Sequence, residues 1–405
     1  MRPKSDIDFS CASWPHAHRE SVMNIGPVID VAIALGLLAL WTLAARGLAR
    51  VIELVPREIA GDQRAATLDG LRGYLALCVI VHHAAIHRQY WLIDKWKEPH
   101  SLVFSWLGPA PVALFFMLTG YLFWSKALHG HRAEPMKLWV GRVRRIVPMY
   151  IFAGLVTLSM LTVLQWGRVY HWDDRLLDLL RVVSGGIMGF PLWRNQVHSL
   201  PLNAGVTWTL YYEWCFYLAL PVLALRATPK ATVVMAVVSA WLATSNTEAG
   251  IACFNFSLGM LTAVIRSRGA VPAWVRGVPG LWLCVACVGL LGFGAGRQTL
   301  GSSLAMGVLF VTVACGQDLK GLLISQPARW LGTISYSVYL MHGIVLYVVL
   351  RRANTLAPIG SLSDAAYWLL LAGAGLLAVL LSAVTYSWIE RPFIQTRPVA
   401  VPQTA

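Results

Sequence analysis

Two basic side chains within one apolar stretch are the first candidates for chemistry. The segment LDGLRGYLALCVIVHHAAIH carries Arg72 and His83, which are eleven residues apart. On an α-helix this spacing places both on one face, about 16 Å apart along the axis. His83 could act as a general base, because an imidazole titrates near neutral pH. The structural alternative is a snorkelling Arg72 and a His83 that bonds to a core carbonyl. His82 points about 80° away from Arg72 and is the weaker candidate.

A pair of arginines in KLWVGRVRRIVPMY forms the second candidate. Arg142 and Arg145 are three residues apart and share a helical face, whereas Arg144 points elsewhere. Two guanidinium groups could hold phosphates through their forked donors. The alternative is simple anchoring at the inner membrane surface, where basic residues collect.

A single carboxylate, Glu213, lies deep within the apolar run TWTLYYEWCFYLALP. A buried carboxylate needs either a partner or a proton. Glu213 could pair with an arginine, which would be a structural role, or orient a histidine, which would be a catalytic one. Thr209 and Tyr217 share its helical face.

The segment LGTISYSVYLMHGIVL contributes a last group of candidates, since it places Ser335, Tyr339 and His342 on one helical stripe. The C-x-x-C of Cys284 and Cys287 lies inside an apolar run, so we interpret both cysteines as packing residues and predict no metal site.

The elements that must position these residues are membrane helices. The chain has 405 residues, of which 57% are hydrophobic and only 13% are charged, whereas a soluble protein carries roughly 25% charged residues. Its apolar runs of about 20 residues could each cross a hydrocarbon core of ~30 Å, and in lipid they must be helical. We therefore predict an all-α fold, a polytopic transmembrane bundle of about ten core helices plus one extra N-terminal helix.

The net charge of +14 indicates membrane orientation rather than binding to nucleic acid, because Lys and Arg crowd cytoplasmic loops. We predict a short non-spanning helix at 176–190, inside an external segment 166–204. This assignment leaves 19 Lys and Arg on the inner side and 10 on the outer side. The predicted spans are 27–45, 68–87, 106–125, 146–165, 205–225, 231–247, 250–265, 279–296, 300–316, 330–350 and 366–388.

Four regions follow from these spans: a tail at 1–26, the extra helix with its linker at 27–66, the main membrane domain at 67–394 and a short tail at 395–405. A cleaved signal peptide at the first helix would leave a basic linker outside, so we expect an uncleaved helix. Translation could start at Met1 or at Met23.

The motifs, taken in order, resemble the acyltransferase-3 family of integral membrane O-acyltransferases, which modify O-antigen, peptidoglycan and exopolysaccharides. The matching pieces are LDGLRG with Arg72-x10-His83, FFMLTGYLF, Arg142-x-x-Arg145 before Pro148, WTLYYEWCFYLALP, LGTISYSVYLMH and the closing ERPF. They cover about residues 68–394. The chain departs from some relatives in its extra N-terminal helix, and no esterase-like domain follows the membrane core.

The resemblance implies a donor and an acceptor on opposite sides of a bacterial inner membrane. The donor would be a cytoplasmic acyl-CoA, by default acetyl-CoA, used as a substrate with no permanently bound cofactor. Its phosphates would lie on Arg142 and Arg145, with Arg72 nearby and the thioester directed towards His83. His83 would act as general base or hold the acyl group covalently, with Glu213 or His342 orienting it or lining the acceptor side. The acceptor would be a glycan or lipid-linked saccharide, and no oligomeric state is implied.

Two other classes of protein compete with this interpretation. A transporter or lipid flippase also carries intramembrane Arg, His and Glu, but such proteins often show internal repeats, and we find none here. A structural membrane partner with a degenerate site is disfavoured by the intact Arg72-x10-His83 pattern.

The charge asymmetry makes a testable prediction about topology. Loops 128–142 and 266–276 should be cytoplasmic, and segment 166–204 should be external. A cysteine introduced by Gly269→Cys should therefore react with an impermeant thiol reagent only after the membrane is permeabilised. Labelling of intact cells at this position, above the background from the native cysteines, would contradict the topology.

Overall fold

The computed structural model describes residues 26–55, 63–130, 134–164, 172–188, 199–269, 271–292 and 298–394. Within these ranges the chain is helical and contains no strand, which confirms the predicted all-α fold. The helices are α1 Pro27–Val51, α2 Gln63–Ile93, α3 Leu102–Trp106, α4 Pro109–Leu128, α5 Pro135–Leu164, α6 Trp172–Val183, α7 Ser199–Asn203, α8 Trp208–Ala224, α9 Pro229–Ala243, α10 Glu248–Ser267, α11 Ala273–Arg276, α12 Val278–Gly292, α13 Leu300–Ala314, α14 Gln326–Leu356, α15 Asp364–Thr385 and α16 Arg391–Ile394, with a 3-10 turn at Ile359–Ser361 and a π-helix at Tyr386–Glu390.

Seven helical segments in the described part of the chain are long and apolar enough to cross a bilayer, and each overlaps a predicted span. The other four predicted spans correspond to α8, α9, α12 and α13, which have 15 to 17 residues. Their lengths of about 22–26 Å fall short of a hydrocarbon core of ~30 Å. The chain is an integral, multi-pass membrane protein.

Several helix boundaries differ from those expected, and the reason is polarity at the helix ends. The predicted spans 68–87 and 330–350 are parts of helices of 31 residues each, and residues 146–164 of the predicted span 146–165 belong to a helix of 30 residues. Hydropathy detects only the apolar part of a helix, whereas the hydrogen-bonded backbone continues through the polar interface. The predicted span 106–125 is wrong at its start, because α3 ends at Trp106 and α4 begins at Pro109.

The short helix expected at 176–190 is α6, which has 12 residues and begins earlier, at Trp172. At about 18 Å it is too short to span the core. Parts of the external segment 166–204 and the two predicted tails, apart from Gly26, lie outside the described residues.

Helices α2 and α14 approach at backbone distance, and glycines make this possible. A Cβ atom added to Gly332 would overlap the carbonyl group of Asp69, and one added to Gly70 would overlap that of Leu323. Small residues permit this close approach between membrane helices. The contact fixes α2 against α14, so residues on their facing surfaces lie opposite one another.

The extra helix α1 is attached to the bundle by polar side chains as well as by apolar packing. The Trp41 indole donates a hydrogen bond to the carbonyl oxygen of Ala372 at 2.9 Å, and the Trp330 indole donates to that of Ile52 at 2.9 Å. Near the other end of α1, the Ser101 hydroxyl donates to Asp30 at 2.6 Å. Helix α1 is thus tied to α15, to α14 and to the segment that precedes α3.

The packing of α4 against α10 predicts an asymmetry between two glycine substitutions. A Cβ at Gly259 would overlap the Met117 carbonyl, whereas one at Gly373 meets no atom within 4 Å. Gly259→Ala should therefore force the helices apart at a cost of about 1–3 kcal/mol and lower the melting temperature in detergent. Gly373→Ala, the matched control, should be neutral or slightly stabilising, because alanine favours a helix. Equal melting temperatures for the two variants would contradict this account of the packing.

Candidate active site

A cavity of about 270 Å³ lies between α2, α4, α5, α8 and α14. Six of the residues singled out from the sequence line it: Arg72, Arg142, Arg145, Glu213, Ser335 and Tyr339. The other lining residues are Val112, Phe115, Phe116, Leu118, Thr119, Leu122, Phe123, Lys126, Ile146, Thr209, Leu210, Tyr217 and Tyr336.

The cavity is long and carries its charge mainly near one end. Along α4 its wall extends from Val112 to Lys126, and this separation corresponds to about 21 Å of helix. Lys126 is exposed and lies near the C-terminal end of α4. Arg72, Arg142 and Arg145 lie in the N-terminal parts of their own helices. All four cations therefore lie in the halves of their helices nearer the side that the sequence analysis expected to be cytoplasmic.

The two arginines of α5 face the cavity, and the one between them does not. The Arg142 guanidinium lies 5.0 Å from the ring centre of Phe123 and 5.7 Å from that of Tyr217. Arg144 is exposed and does not line the cavity. Arg72 forms an ion pair with Asp69 at 3.6 Å, one turn earlier on α2. The helical spacing thus separated inward-facing from outward-facing arginines.

Glu213 lies on the same cavity wall as the arginines and accepts a hydrogen bond from the Tyr217 hydroxyl at 2.9 Å. Among the described residues, no ion pair within 4.0 Å joins its carboxylate to an arginine. It also makes no hydrogen bond to a histidine there. Both roles considered from the sequence, a direct Arg partner and a direct His partner, therefore lack a contact in this structure. Glu213 instead lies as a carboxylate within a cationic cavity.

His83 and His342 meet across the contact between α2 and α14. The Nε2 atom of His342 lies 2.9 Å from Nδ1 of His83. The Nδ1 atom of His342 donates to the carbonyl oxygen of Val338 at 3.0 Å, so its Nε2 atom carries the lone pair. His83 Nδ1 therefore holds a proton, which it shares between His342 and the carbonyl oxygen of Val79 at 3.1 Å. In this network Nε2 of His83 is an unprotonated nitrogen, available to accept a proton or to attack a carbonyl carbon.

His82 has a different environment. Its Nδ1 atom donates to the carbonyl oxygen of Phe104 at 2.7 Å, and its ring packs against Gly108, at the start of α4. It is 7% exposed, whereas His83 is only partly buried. His82 is therefore held in the packing between α2 and the α3–α4 segment.

Tyr339 connects the cavity to the histidine pair. Its hydroxyl donates to the carbonyl oxygen of Val206 at 2.9 Å, and its ring centre lies 6.2 Å from that of His342 and 6.2 Å from that of Phe115. Ser335, one turn earlier, bonds to the carbonyl of Gly332 at 2.8 Å. The stripe on α14 thus runs from the cavity to the histidines, although neither His83 nor His342 lines the cavity itself.

Sequence reasoning missed three features of this region. Lys126 and Tyr336 both line the cavity, but a lysine at a helix end is indistinguishable in sequence from an ordinary membrane anchor. Glu390, the first residue of the closing ERPF motif, is fully buried in the π-helix and accepts a hydrogen bond from Ser337 at 2.9 Å. The signal in the sequence that pointed to it is an acidic residue directly after a long apolar run. The π-helix that holds it is a type of segment that often occurs at functional sites.

Comparison with known proteins assigns the sequence to a family. Residues 66–387 match the family model described as an acyltransferase domain. The "Exopolysaccharide production protein ExoZ" of Rhizobium meliloti is 26% identical over 309 residues, which cover 71% of this chain and 90% of that protein. The "Putative membrane-bound transacylase BcsY" of Komagataeibacter xylinus is 25% identical, over 84% of this chain and 85% of that protein.

A third relative is longer than this chain. The "Putative peptidoglycan O-acetyltransferase YrhL" of Bacillus subtilis is 24% identical over 80% of this chain, and the match spans only 54% of that protein. No solved structure matches the chain significantly. The family model covers most of the chain, and the chain belongs to the acyltransferase-3 family of membrane O-acyltransferases.

Proposed function

We propose that this protein transfers an acetyl group from cytoplasmic acetyl-CoA to a hydroxyl of a glycan or lipid-linked saccharide on the other side of a bacterial inner membrane. The observation that carries the proposal is the long cationic cavity, which leads from Lys126 towards Tyr339 and the His83–His342 pair. A donor with phosphates at one end and a thioester at the other fits this arrangement of charge.

The charge of the cavity favours a polyanionic donor. Four cations and one carboxylate line it, and guanidinium groups bind phosphate oxygens through paired donors. The phosphates of CoA would lie at the end marked by Lys126, Arg142 and Arg145. The pantetheine arm would then run inward along α4, past the phenylalanine rings, to bring the thioester close to Tyr339 and His342.

The histidine pair supplies the base for the transfer. In the direct route, the acceptor hydroxyl loses its proton to Nε2 of His83 while its oxygen attacks the thioester carbonyl carbon. The C–S bond then breaks, the ester remains on the acceptor, and the CoA thiolate takes up a proton. In the covalent route, Nε2 of His83 attacks the thioester carbonyl carbon, the C–S bond breaks and CoA leaves as the thiolate. The acceptor hydroxyl then attacks the acyl-imidazole, the acyl–N bond breaks, and the hydroxyl proton passes through Nε2 of His83 to the CoA thiolate. His342 positions the ring in both routes through its 2.9 Å hydrogen bond.

The class of acceptor is supported by the names of the relatives. One is named for exopolysaccharide production and another for peptidoglycan O-acetylation. A transporter or flippase, the alternative considered from the sequence, would not need a histidine pair with a free ring nitrogen. Release of CoA from acetyl-CoA by the purified, reconstituted protein, dependent on a saccharide acceptor, tests the proposal against that alternative.

The same assay should separate donor binding from chemistry. Arg142→Ala or Arg145→Ala should raise the KM for acetyl-CoA roughly tenfold to a hundredfold, because a charge-assisted hydrogen bond contributes about 1.5–3 kcal/mol. Excess donor should partly restore the rate. His83→Ala should instead lower kcat by about 10² to 10⁴ with little change in donor affinity.

Two variants serve as controls for this comparison. Arg144→Ala removes an equal charge from the exposed face of α5 and should leave the donor KM unchanged. His82→Ala should be milder than His83→Ala, because His82 is bonded to the Phe104 carbonyl. Loss of turnover in His82→Ala together with retained turnover in His83→Ala would show that the wrong histidine has been assigned as the base.

Glu213→Gln tests whether the carboxylate acts on the donor or on the fold. A glutamine oxygen can still accept from Tyr217, so we expect a normal yield of folded protein. We expect the Glu213 carboxylate to accept hydrogen bonds from the amide groups of the pantetheine arm. Loss of this charged acceptor should lower kcat/KM for acetyl-CoA roughly tenfold to a hundredfold. Normal yield with normal kinetics would remove Glu213 from the site, and a collapsed yield would assign it a structural role.

A further inference from the structure

Unpartnered buried polar atoms are concentrated at the C-terminal end of α2, beyond His83. Among the described residues, five such atoms belong to the segment 87–91: both ring nitrogens of His87 and one atom each of Arg88, Gln89 and Trp91. His87 is fully buried. Buried polar groups normally have hydrogen-bond partners, so a cluster that lacks them calls for a polar ligand or water.

His87 and His83 lie one helical turn apart and meet the same aromatic ring. The Trp96 ring is stacked on that of His83, with centres 6.3 Å apart and planes at 17°. It meets the ring of His87 edge-on, at 5.1 Å. Trp96 and His83 are both partly exposed. Trp96 therefore packs against both histidine rings, and this cluster of rings reaches the surface through the partly exposed His83 and Trp96, at the end of α2 away from Arg72.

This location lies on the far side of the histidine pair from the donor cavity. None of His83, His87 and Trp96 lines the cavity, and His87 lies about 22 Å along α2 from Arg72 by helix rise. A donor that enters at Lys126 and an acceptor that enters at Trp96 would thus reach the histidine pair from opposite ends.

We infer that His87 and Trp96 form a binding subsite for the acceptor and that this acceptor is a neutral polyhydroxyl compound, the class to which sugars belong. The inference rests on the proposed function. An imidazole can donate and accept hydrogen bonds at once, which suits the vicinal hydroxyls of a sugar. The indole presents an electron-rich face, against which the C–H face of a sugar ring packs. One guanidinium nitrogen of Arg88 is paired with Asp364, and the residues around Trp96, Asp94, Lys95, Lys97 and Glu98, carry no net charge, which favours a neutral ligand.

The loop that carries Trp96 is held in place before any ligand binds. The Ser101 hydroxyl donates to Asp30 at 2.6 Å, and the Ser105 hydroxyl donates to the carbonyl oxygen of Pro99 at 2.7 Å. A ring fixed in this way loses little conformational entropy on binding, which favours affinity.

The kinetic test uses acetyl-CoA as donor and cellotetraose as a neutral acceptor. His87→Phe keeps an aromatic ring and removes both nitrogens, so the KM for cellotetraose should rise about tenfold or more, with the KM for acetyl-CoA unchanged. His87→Gln retains a donor and an acceptor and should restore part of the affinity. The matched control is His129→Phe. His129 is exposed at the C-terminal end of α4, and this variant should have the same two KM values as the wild type.

A parallel pair tests the ring. Trp96→Ala should also raise the KM for cellotetraose about tenfold, because it removes the contact between the indole and the sugar ring. Trp388→Ala removes an indole that is 79% exposed and should have no effect. Size-exclusion profiles and the unchanged KM for acetyl-CoA exclude misfolding as the cause.

A third measurement needs no turnover. Lys97→Cys introduces a thiol beside Trp96, and saturating cellotetraose should slow its alkylation by an impermeant maleimide several-fold, but not when His87→Phe is also present. Protection without transfer would overturn the proposed function and support the subsite. Transfer with an unaltered KM for cellotetraose in both His87→Phe and Trp96→Ala would overturn the subsite and leave the proposed function standing. Absence of both protection and transfer would overturn the subsite as well.

Discussion

The close approach of α2 to α14 is the constraint on which the rest of the site depends. Gly73 and Gly332 leave no room for a side chain between the two helices, and Gly70 leaves none against Leu323, just before α14. The resulting contact brings His83 and His342 within hydrogen-bond distance. His83 and His342 are 259 positions apart in sequence, and their imidazoles form one hydrogen-bonded pair. If the helices were separated by even a methyl group, the imidazole of His83 would lose its hydrogen bond to His342 and would keep only the one to the Val79 carbonyl oxygen on its own helix. Packing in the first third of each helix thus controls chemistry about three turns further along.

The second organising feature is that the cationic side chains lie apart from the histidine pair. Four cations line the cavity, whereas the histidines lie outside it, with aromatic side chains between them. This arrangement suits a lipid environment, because a neutral imidazole tolerates burial better than a charged group does. The cavity joins the two zones without a continuous row of buried charges, since Tyr339 and the phenylalanines of α4 line the intervening wall.

Helical periodicity and hydropathy predicted much of this arrangement. They correctly separated Arg142 and Arg145 from Arg144 and identified the helices that carry the site. They also placed Ser335, Tyr339 and His342 on one stripe of α14, and the first two of these line the cavity. These successes share one cause, which is that residues three, four or eleven apart on a single helix have a fixed relation whatever the tertiary fold.

What the sequence did not predict depends on relations between helices. It left open whether Glu213 or His342 meets His83, because that choice is set by packing between α2, α8 and α14. It gave no sign that both nitrogens of His87 lack partners, since an unpaired group is defined by its neighbours. The break between α3 and α4 was missed because an apolar run looks continuous even where Pro109 starts a new helix.

The hydrogen bond from Ser101 to Asp30 connects the N-terminal helix to the loop between α2 and α3. This helix lies ahead of the family domain in sequence, yet it supports a loop inside that domain. Asp30 is 2% exposed and reaches the loop between α2 and α3, so α1 braces the rim of the bundle from outside. A family member without such a helix must hold this rim by other means or leave it loose. The position of the loop that carries Trp96 therefore depends on a helix that lies ahead of the family domain.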